Sequence, residues 1–319
     1  VAGFETNKQA HYRVFAEATG MTTNEVAARI RHRATDRYLV LSRSLSLSNE
    51  MTKRVDNVPG ARVVREFSRN YNYGQTGSHI RGYVDVDMNG LEGIEKQYNR
   101  YLAGVEGQRA AIRDRRGFRK MLPGGRTIEP QHGESVRLTI DIVQQTIMEE
   151  ELARGAASAG AKWATAIAVN PHTGAILGMA IVPTFDIHNP ASVPTDFRKN
   201  VAIVNRFEPG STFKLIAAIA AVETGAVEMA DTFHTGNGYA KIAGWPVRDT
   251  HGYGSIPFTE VISHSSNIGF AQLAEELDHG KYYQYARALG FGQRLGIDLP
   301  GEVGGNLSRP SVWSRSTLS

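Results

Sequence analysis

One stretch decides the interpretation of this chain: Glu208-Pro209-Gly210-Ser211-Thr212-Phe213-Lys214, followed by an apolar run over 215–220. An apolar run directly after Pro-Gly predicts a helix with Ser211 in its first turn. Lys214 then lies on the same helix face as Ser211. Helix starts carry unpaired N–H groups, and a lysine whose pKa burial lowers can accept a hydroxyl proton. The stretch therefore indicates a serine nucleophile with a lysine base, although a capping serine before a solvated lysine would read the same way.

The composition is that of an ordinary globular protein, long enough for two domains. The chain has 319 residues, of which 41% are hydrophobic and 21% charged. It has no cysteine, which excludes thiolate metal sites, cysteine nucleophiles and disulfides. No apolar run reaches the roughly 18 residues that would predict a membrane span.

The net charge of +4 is mildly basic and suits a polyanionic neighbour such as a membrane surface or a cell wall. Nucleic-acid binding would need a clustered basic patch. The basic residues are dispersed, and one group lies in a predicted connector: Arg113, Arg115, Arg116, Arg119 and Lys120. We therefore expect no nucleic-acid partner.

The first part of the chain mixes short elements. The pattern predicts a helix over 23–30 capped by Thr23, a strand over 61–67, a turn over 70–74 and a helix that ends near Leu102. Residues 117–135 are rich in glycine and proline and predict a domain boundary. We thus expect a front domain over 1–130 and a second domain over 136–319.

The second domain begins with a predicted strand over 136–140 and a helix that Asp141 caps and Gly155 closes. Residues 163–181 predict a hairpin with its turn at 170–174. Both arms are nearly all apolar, so the hairpin should lie in a sheet that is covered on both faces. Layers of helix, sheet and helix are the natural architecture for this half.

A second motif, Ser265-x-Asn267, follows about fifty residues after Lys214. A hydroxyl and an amide on one short loop can relay a proton and hold a substrate amide. The same triplet also fits a turn or cap before a helix over 268–277. Its order and distance relative to Ser211 favour the functional interpretation.

Together these motifs resemble the transpeptidase domain of class B penicillin-binding proteins. Two blocks carry the resemblance first: FEPGSTFK at 207–214, which contains the Ser-x-x-Lys signature, and HSSNIG at 264–269. Further blocks match in order: GYV at 82–84 with GLEGIE at 90–95 and Tyr98, LTID at 138–141, NPHTGAILGMA at 170–180, and LGFG at 289–292 with GIDLPGE at 296–302. The resemblance covers about residues 60–319, and the Ser-x-Asn form is more similar to the division-type branch than to the elongation-type branch.

The resemblance implies an α+β pedestal domain followed by an α/β penicillin-recognising transpeptidase domain, with a mainly antiparallel sheet covered by helices on both faces. It also implies a third motif, Lys-Thr-Gly or Lys-Ser-Gly, which does not occur in these 319 residues. We therefore expect the catalytic domain to be truncated here and the remaining strands to follow Ser319.

By the same resemblance, Ser211, Lys214 and Ser265 are catalytic and Asn267 binds substrate. The Ser211 backbone N–H is one oxyanion donor, and no metal or cofactor is needed. The implied partners are peptidoglycan stem peptides, β-lactams, and a membrane-embedded glycan polymerase with division proteins. The family implies a single N-terminal anchor in the cytoplasmic membrane, with the domains on its outer side.

Two other functions remain open at this point: a serine β-lactamase or D,D-carboxypeptidase on the same fold, and a non-catalytic β-lactam sensor or division scaffold. Trp245 and Tyr253 either line the cleft or pack under a loop. We expect no chemistry from the 249–251 triplet Asp-Thr-His, because the serine–lysine pair already supplies nucleophile and base. Surface or structural roles are expected for three histidines: His251, His264 and His279.

Overall fold

The computed structural model describes residue 4 and residues 7–32, 39–43, 45–113 and 119–313. The chain divides into two compact units, Val1–Arg198 and Lys199–Ser319. The domain boundary at 117–135 stays a prediction; its residues 117–118, and Arg115 and Arg116 of the basic connector, lie outside the described ranges. Among the described helices, none has the length and apolar character needed to cross a membrane.

The first unit opens with three packed helices: α1 Lys8–Thr19, α2 Thr23–His32 and α3 Asn49–Asp56. Their shared core consists of Tyr12, Phe15, Val26, Val55 and Val58. A capping box starts α2: the Thr22 hydroxyl oxygen accepts from the Glu25 N–H (3.2 Å), and the Glu25 carboxylate accepts from the Thr22 N–H (2.7 Å). The predicted cap at Thr23 is therefore wrong by one residue, because the cap must stand three residues before the glutamate.

The strand predicted over 61–67 is also wrong. These residues have no regular secondary structure, and Val64 and Phe67 are 55% and 91% exposed. An alternating pattern forms a strand only where a partner strand pairs with it, and none does so in the described residues. The turn predicted over 70–74 lies over 72–77, two to three residues later, and the helical stretch that ends at Leu102 is confirmed. Three short helices occur here: α4 Ser78–Arg81, α5 Gly93–Gln97 and α6 Asn99–Leu102.

Two small antiparallel pairs follow: β1 Gln108–Arg109 with β4 Thr127–Ile128, and β2 Ala111–Arg113 with β3 Arg119–Met121. Residues 136–140 form no strand, although the Asp141 N–H donates to the Leu177 carbonyl (2.8 Å). Helix α7 Ile142–Ala159 is capped by the Asp141 carboxylate, as predicted. It runs through Gly155 and ends at Gly160 (φ 62°), since one interior glycine costs only about 1 kcal/mol.

The predicted hairpin is confirmed as β5 Ala164–Val169 paired with β6 Ile176–Val182. Helix α7 packs on β6 through a fully buried amide, because Gln145 Nε2 donates to the Met179 carbonyl (2.8 Å) and Oε1 accepts from the Met179 N–H (2.7 Å). Gly178 permits this approach, since a Cβ there would lie 2.6 Å from Met148 Sδ. A short helix, α8 Thr195–Arg198, closes the unit.

The second unit holds the Ser-x-x-Lys stretch. A 3-10 turn over Gly210–Phe213 runs into a helix that begins at Lys214, so the predicted helix forms, but Ser211 lies in the 3-10 turn directly before it and not in its first turn. Its helices are α9 Val201–Val204, α10 Lys214–Glu223, α11 Phe258–Ser263, α12 Asn267–Glu276 and α13 His279–Ala288. Its strands pair as β7 Thr232–Gly236 with β10 Gly254–Pro257, and β8 Tyr239–Ile242 with β9 Trp245–Arg248.

Small side chains let the helices of the second unit pack closely. Ala217, Ala218, Ala220 and Ala221 of α10 lie in one buried cluster with residues of α11 and α12, including Phe258, Val261, Phe270 and Leu273. Gly269 in the first turn of α12 is also close-packed, since a Cβ there would lie 2.5 Å from Val261 Cγ1. This core fixes the start of α10 against the start of α12, which carry the two motifs.

Candidate active site

The turn before α10 sets the position of Ser211. Gly210 has a φ of 58°, in the left-handed region that glycine adopts without strain. The ring of Phe213 packs against the rings of Phe291 (4.9 Å between centroids) and Tyr282 (5.7 Å). The turn is therefore fixed on one side, while the Ser211 side chain is exposed and lines a cleft.

The side chain of Lys214 joins the first motif to the second. Its Nζ donates to Asn267 Oδ1 (2.5 Å), to the Ser265 carbonyl (2.7 Å) and to Ser265 Oγ (3.2 Å). It also lies 5.5 Å from the centre of the Phe270 ring. The structure thus brings together three of the predicted site residues around one amine, with the fourth, Ser211, in the adjoining cleft.

Burial lowers the pKa of Lys214 below its ordinary value, and the negative charge of Asp249 opposes this effect. A lysine with a lowered pKa is neutral at a lower pH than an exposed lysine. Since only the neutral amine can accept a proton, the shift favours Lys214 as a general base.

Ser265 adopts a strained backbone conformation, with a φ of 52° that non-glycine residues seldom have. Such a conformation costs about 1–3 kcal/mol and persists where surrounding contacts enforce it. The Ser265 N–H donates to the Ile262 carbonyl (3.0 Å), and its own carbonyl accepts from Lys214. The left-handed turn points both Ser265 oxygens at the Lys214 amine.

Asn267 spans the site through both ends of its amide. Its Oδ1 accepts from Lys214, and its Nδ2 donates to the Arg248 carbonyl at the end of β9 (2.7 Å). This geometry supports the expected role of Asn267 in orienting Lys214. Its role in binding a donor peptide stays a prediction.

The cleft has a volume of about 210 Å³. Its walls are formed by Ser211, Asp249, Thr250, Tyr253, His264, Ser265 and Asn267. Tyr253 is therefore a cleft residue, whereas Trp245 is 57% exposed on β9 and does not occur among the described lining residues.

Sequence reasoning missed three residues of this cleft, Asp249, Thr250 and His264, and the contacts of two of them are informative. His264 stacks on Tyr253 with ring centroids 4.5 Å apart and planes 6° apart. Asp249 binds Ser266 and Ile268 on either side of Asn267. His264 could have been found from its position directly before Ser265, but the contacts of Asp249 arise only in the folded chain.

Two family models match the chain: the penicillin-binding protein dimerisation domain over residues 4–138 and the penicillin-binding protein transpeptidase domain over residues 164–319. Their order and the Ser211–Lys214–Ser265–Asn267 arrangement decide the family. The chain belongs to the class B penicillin-binding proteins. The two-domain architecture expected from the sequence is thereby confirmed.

Several members of this family are similar over most of the chain. Stage V sporulation protein D of Bacillus subtilis is 35% identical over 266 residues, which are 82% of this chain and 41% of that protein. Peptidoglycan D,D-transpeptidase FtsI of Escherichia coli is 27% identical over 311 residues, 97% of this chain and 52% of FtsI. The crystal structure of penicillin-binding protein 3 from Mycobacterium tuberculosis is 30% identical with a TM-score of 0.67, and the match covers 79% of this chain and 53% of that one.

This class B penicillin-binding protein chain spans about half the length of the curated relatives it matches. Both motifs of its cleft lie within the transpeptidase match, and the helical front segment lies within the dimerisation match.

Proposed function

We propose that this protein is a peptidoglycan D,D-transpeptidase that works through an acyl-enzyme on Ser211. The observation that carries the proposal is the Lys214 amine, which is partly buried and bound by Ser265 and Asn267 beside the cleft that Ser211 lines. The substrate is a stem peptide that ends in D-Ala-D-Ala, and the product is a cross-link to a neighbouring stem.

In the first step, neutral Lys214 accepts the proton of the Ser211 hydroxyl as Oγ bonds to the carbonyl carbon of the penultimate D-Ala. The carbonyl oxygen becomes an oxyanion, and the Ser211 backbone N–H at the helix start donates to it. One such donor contributes about 3–4 kcal/mol to transition-state stabilisation.

In the second step, the peptide C–N bond breaks and the leaving D-Ala amine needs a proton. Ser265 Oγ lies 3.2 Å from Lys214 Nζ, so the proton passes from the lysine through this hydroxyl to the amine. An amine of a second stem peptide then attacks the acyl carbon and gives a proton to Lys214. The bond from that carbon to Ser211 Oγ breaks, and Oγ takes the proton back from Lys214.

Relatives support this assignment. FtsI of Escherichia coli is named a peptidoglycan D,D-transpeptidase, and structures of the Mycobacterium tuberculosis protein are complexes with aztreonam and with ampicillin. In this protein we propose that a β-lactam acylates Ser211 when its ring C–N bond opens. We further propose a role in division, an N-terminal membrane anchor with the domains outside the membrane, and a membrane-embedded glycan polymerase as partner.

Fluorescent penicillin tests the proposal in the natural full-length protein. Wild type should carry one covalent label, which peptide mass spectrometry places on Ser211, and Ser211→Ala should carry none. Ser263→Ala is the matched control and should label like wild type, because that exposed hydroxyl only donates to the Glu260 carbonyl (3.3 Å). An intact wild type without label would reject the proposal.

The same experiment separates the rival functions. A label released within seconds would identify a β-lactamase. A stable label together with no cross-linked product from a stem pentapeptide and an acceptor amine would identify a sensor or scaffold, and release of D-Ala without cross-linking would identify a carboxypeptidase.

A further inference from the structure

A carboxylate outside both motifs holds the second motif in place. Asp249 directly follows β9, and its two oxygens bind the residues on either side of Asn267. Its Oδ2 accepts from the Ser266 hydroxyl (2.6 Å), and its Oδ1 accepts from the Ile268 N–H (3.1 Å). Ser266 in turn caps α12, as its Oγ accepts from the Gly269 N–H (2.9 Å).

Asp249 is itself fixed by the neighbouring backbone. Its N–H donates to the Gly238 carbonyl (3.1 Å). The loop after it packs on the same turn, since a Cβ at Gly238 would lie 2.8 Å from the His251 carbonyl oxygen. The carboxylate is thus carried by the paired strands β8 and β9.

These contacts enclose the strained residue of the site. Ser265 keeps its left-handed φ of 52° between Lys214, which binds its carbonyl, and Ser266, which Asp249 holds. A strained conformation needs such enforcement from its surroundings. Without the Asp249 contacts, the backbone is free to move the Ser265 oxygens and Asn267 away from the lysine.

We propose that Asp249 is a positioning residue for acyl transfer, which holds the loop from Ser265 to Asn267 in the conformation that surrounds the Lys214 amine. This inference rests on the proposed acyl transfer at Ser211. Asp249 does more than support the cap of α12, because the charge of its carboxylate also acts on Lys214.

The charge effect has a defined direction. The negative charge of Asp249 raises the pKa of Lys214 against the larger lowering by burial. Among the described residues that line the cleft, the other titratable side chains are Tyr253 and His264. Loss of the charge at 249 therefore lowers the pKa of Lys214 and extends acylation to lower pH.

The test is the second-order rate constant for acylation of the full-length protein by fluorescent penicillin, measured from about pH 6 to about pH 10, around the ordinary lysine value. We expect Asp249→Ala to lower this constant about 10-fold to 10²-fold at high pH, where Lys214 is neutral in both proteins, as misplaced catalytic groups do. Asp278→Ala is the matched control, since Asp278 caps α13 in the same unit by accepting from the Lys281 N–H (2.7 Å). The control should stay within about twofold of wild type if capping alone has no effect on the site.

Asp249→Asn separates positioning from charge. Its amide keeps the shape of the carboxylate, with an oxygen for the Ile268 N–H and an N–H₂ group for Ser266 Oγ. It should lose less activity than Asp249→Ala, and the acid limb of its pH profile should move to lower pH.

Three results overturn the inference. The first is an Asp249→Ala rate equal to that of the Asp278→Ala control, and the second is an Asp249→Asn acid limb that stays in place or moves to higher pH. If Asp249→Ala does not fold, the acylation rate constant of Asp249→Asn at high pH is compared with that of the Asp278→Ala control instead, and equal values overturn the inference. The third is a wild-type protein that is not acylated at Ser211, and this result rejects the proposed function as well. If wild type is acylated and the Asp249 variants are unaffected, only the inference about Asp249 is rejected.

Discussion

Two glycine–serine turns in this molecule lead into helices with the same backbone conformation. They differ in the burial of the serine and in the chemistry of the basic residue that follows it. Gly77 and Gly210 both have left-handed backbones, with φ values of 69° and 58°. A serine follows each glycine, and a basic residue stands three positions after each serine: Arg81 in the first unit and Lys214 in the second.

Burial and the type of cation separate the two turns. The Ser78 side chain is fully buried, and its single hydroxyl proton is shared between the carbonyls of Gln75 and Phe185, the latter at 3.0 Å. Arg81 donates to two more carbonyls, those of Asn72 (2.6 Å) and Gly74 (2.7 Å). Ser211, by contrast, faces an open cleft, and its partner is an amine that can lose its proton. Local geometry offers a hydroxyl at both places, but the access and the neighbouring base that the proposed acyl transfer needs occur together only at Ser211.

The largest effect on acylation should come from replacing Lys214 by arginine, the type of basic residue found at position 81 in the first turn. Lys214→Arg keeps a positive charge but cannot act as a base, since guanidinium stays protonated at any working pH. We expect the rate constant for acylation by a β-lactam to fall about 10²-fold to 10⁴-fold, the usual contribution of general acid–base catalysis. Stopped-flow measurement of acylation checks this, with Arg81→Lys as the matched control at the wild-type rate. An arginine variant within about tenfold of wild type would remove Lys214 from the role of base.

The comparison also shows what the sequence could predict. The Asp141 cap, the hairpin predicted over 163–181 and the helix after Ser211 depend on short-range rules, and all three are confirmed. The strand at 61–67 failed because a strand needs a partner that the local pattern does not contain. Asp249 was dismissed as part of an Asp-Thr-His triplet, since its contacts with Ser266 and Ile268 arise only when β9 folds beside α12.

An intermediate effect should come from removing the hydroxyl of Ser78, the buried serine of the first turn. Ser78→Ala leaves the buried carbonyl of Phe185 without its hydroxyl donor, which costs about 1–3 kcal/mol of unfolding free energy. Calorimetry should show the first unit melting several degrees lower, while acylation at Ser211 keeps its wild-type rate. Ser211→Ala should do the opposite and abolish acylation without lowering the melting temperature. A Ser78→Ala protein as stable as wild type would mean that its hydroxyl contributes nothing beyond what water supplies.

The smallest effect should come from replacing the two glycines, Gly77 and Gly210. These variants measure the cost of the left-handed backbone alone. Alanine at either position must hold a left-handed backbone, at a cost of about 1–2 kcal/mol. Steric overlap adds little, because a Cβ at Gly77 would meet Arg81 Nε at 3.9 Å and a Cβ at Gly210 would meet nothing within 4 Å. Gly77→Ala and Gly210→Ala should therefore lower the melting temperatures of their units by similar amounts.

Only Gly210→Ala should also slow acylation, because relief of strain there turns Ser211 away from the cleft. Equal acylation rates in the two variants would show that the turn tolerates either backbone, and that Phe213, packed on Phe291, is enough to hold Ser211 in place.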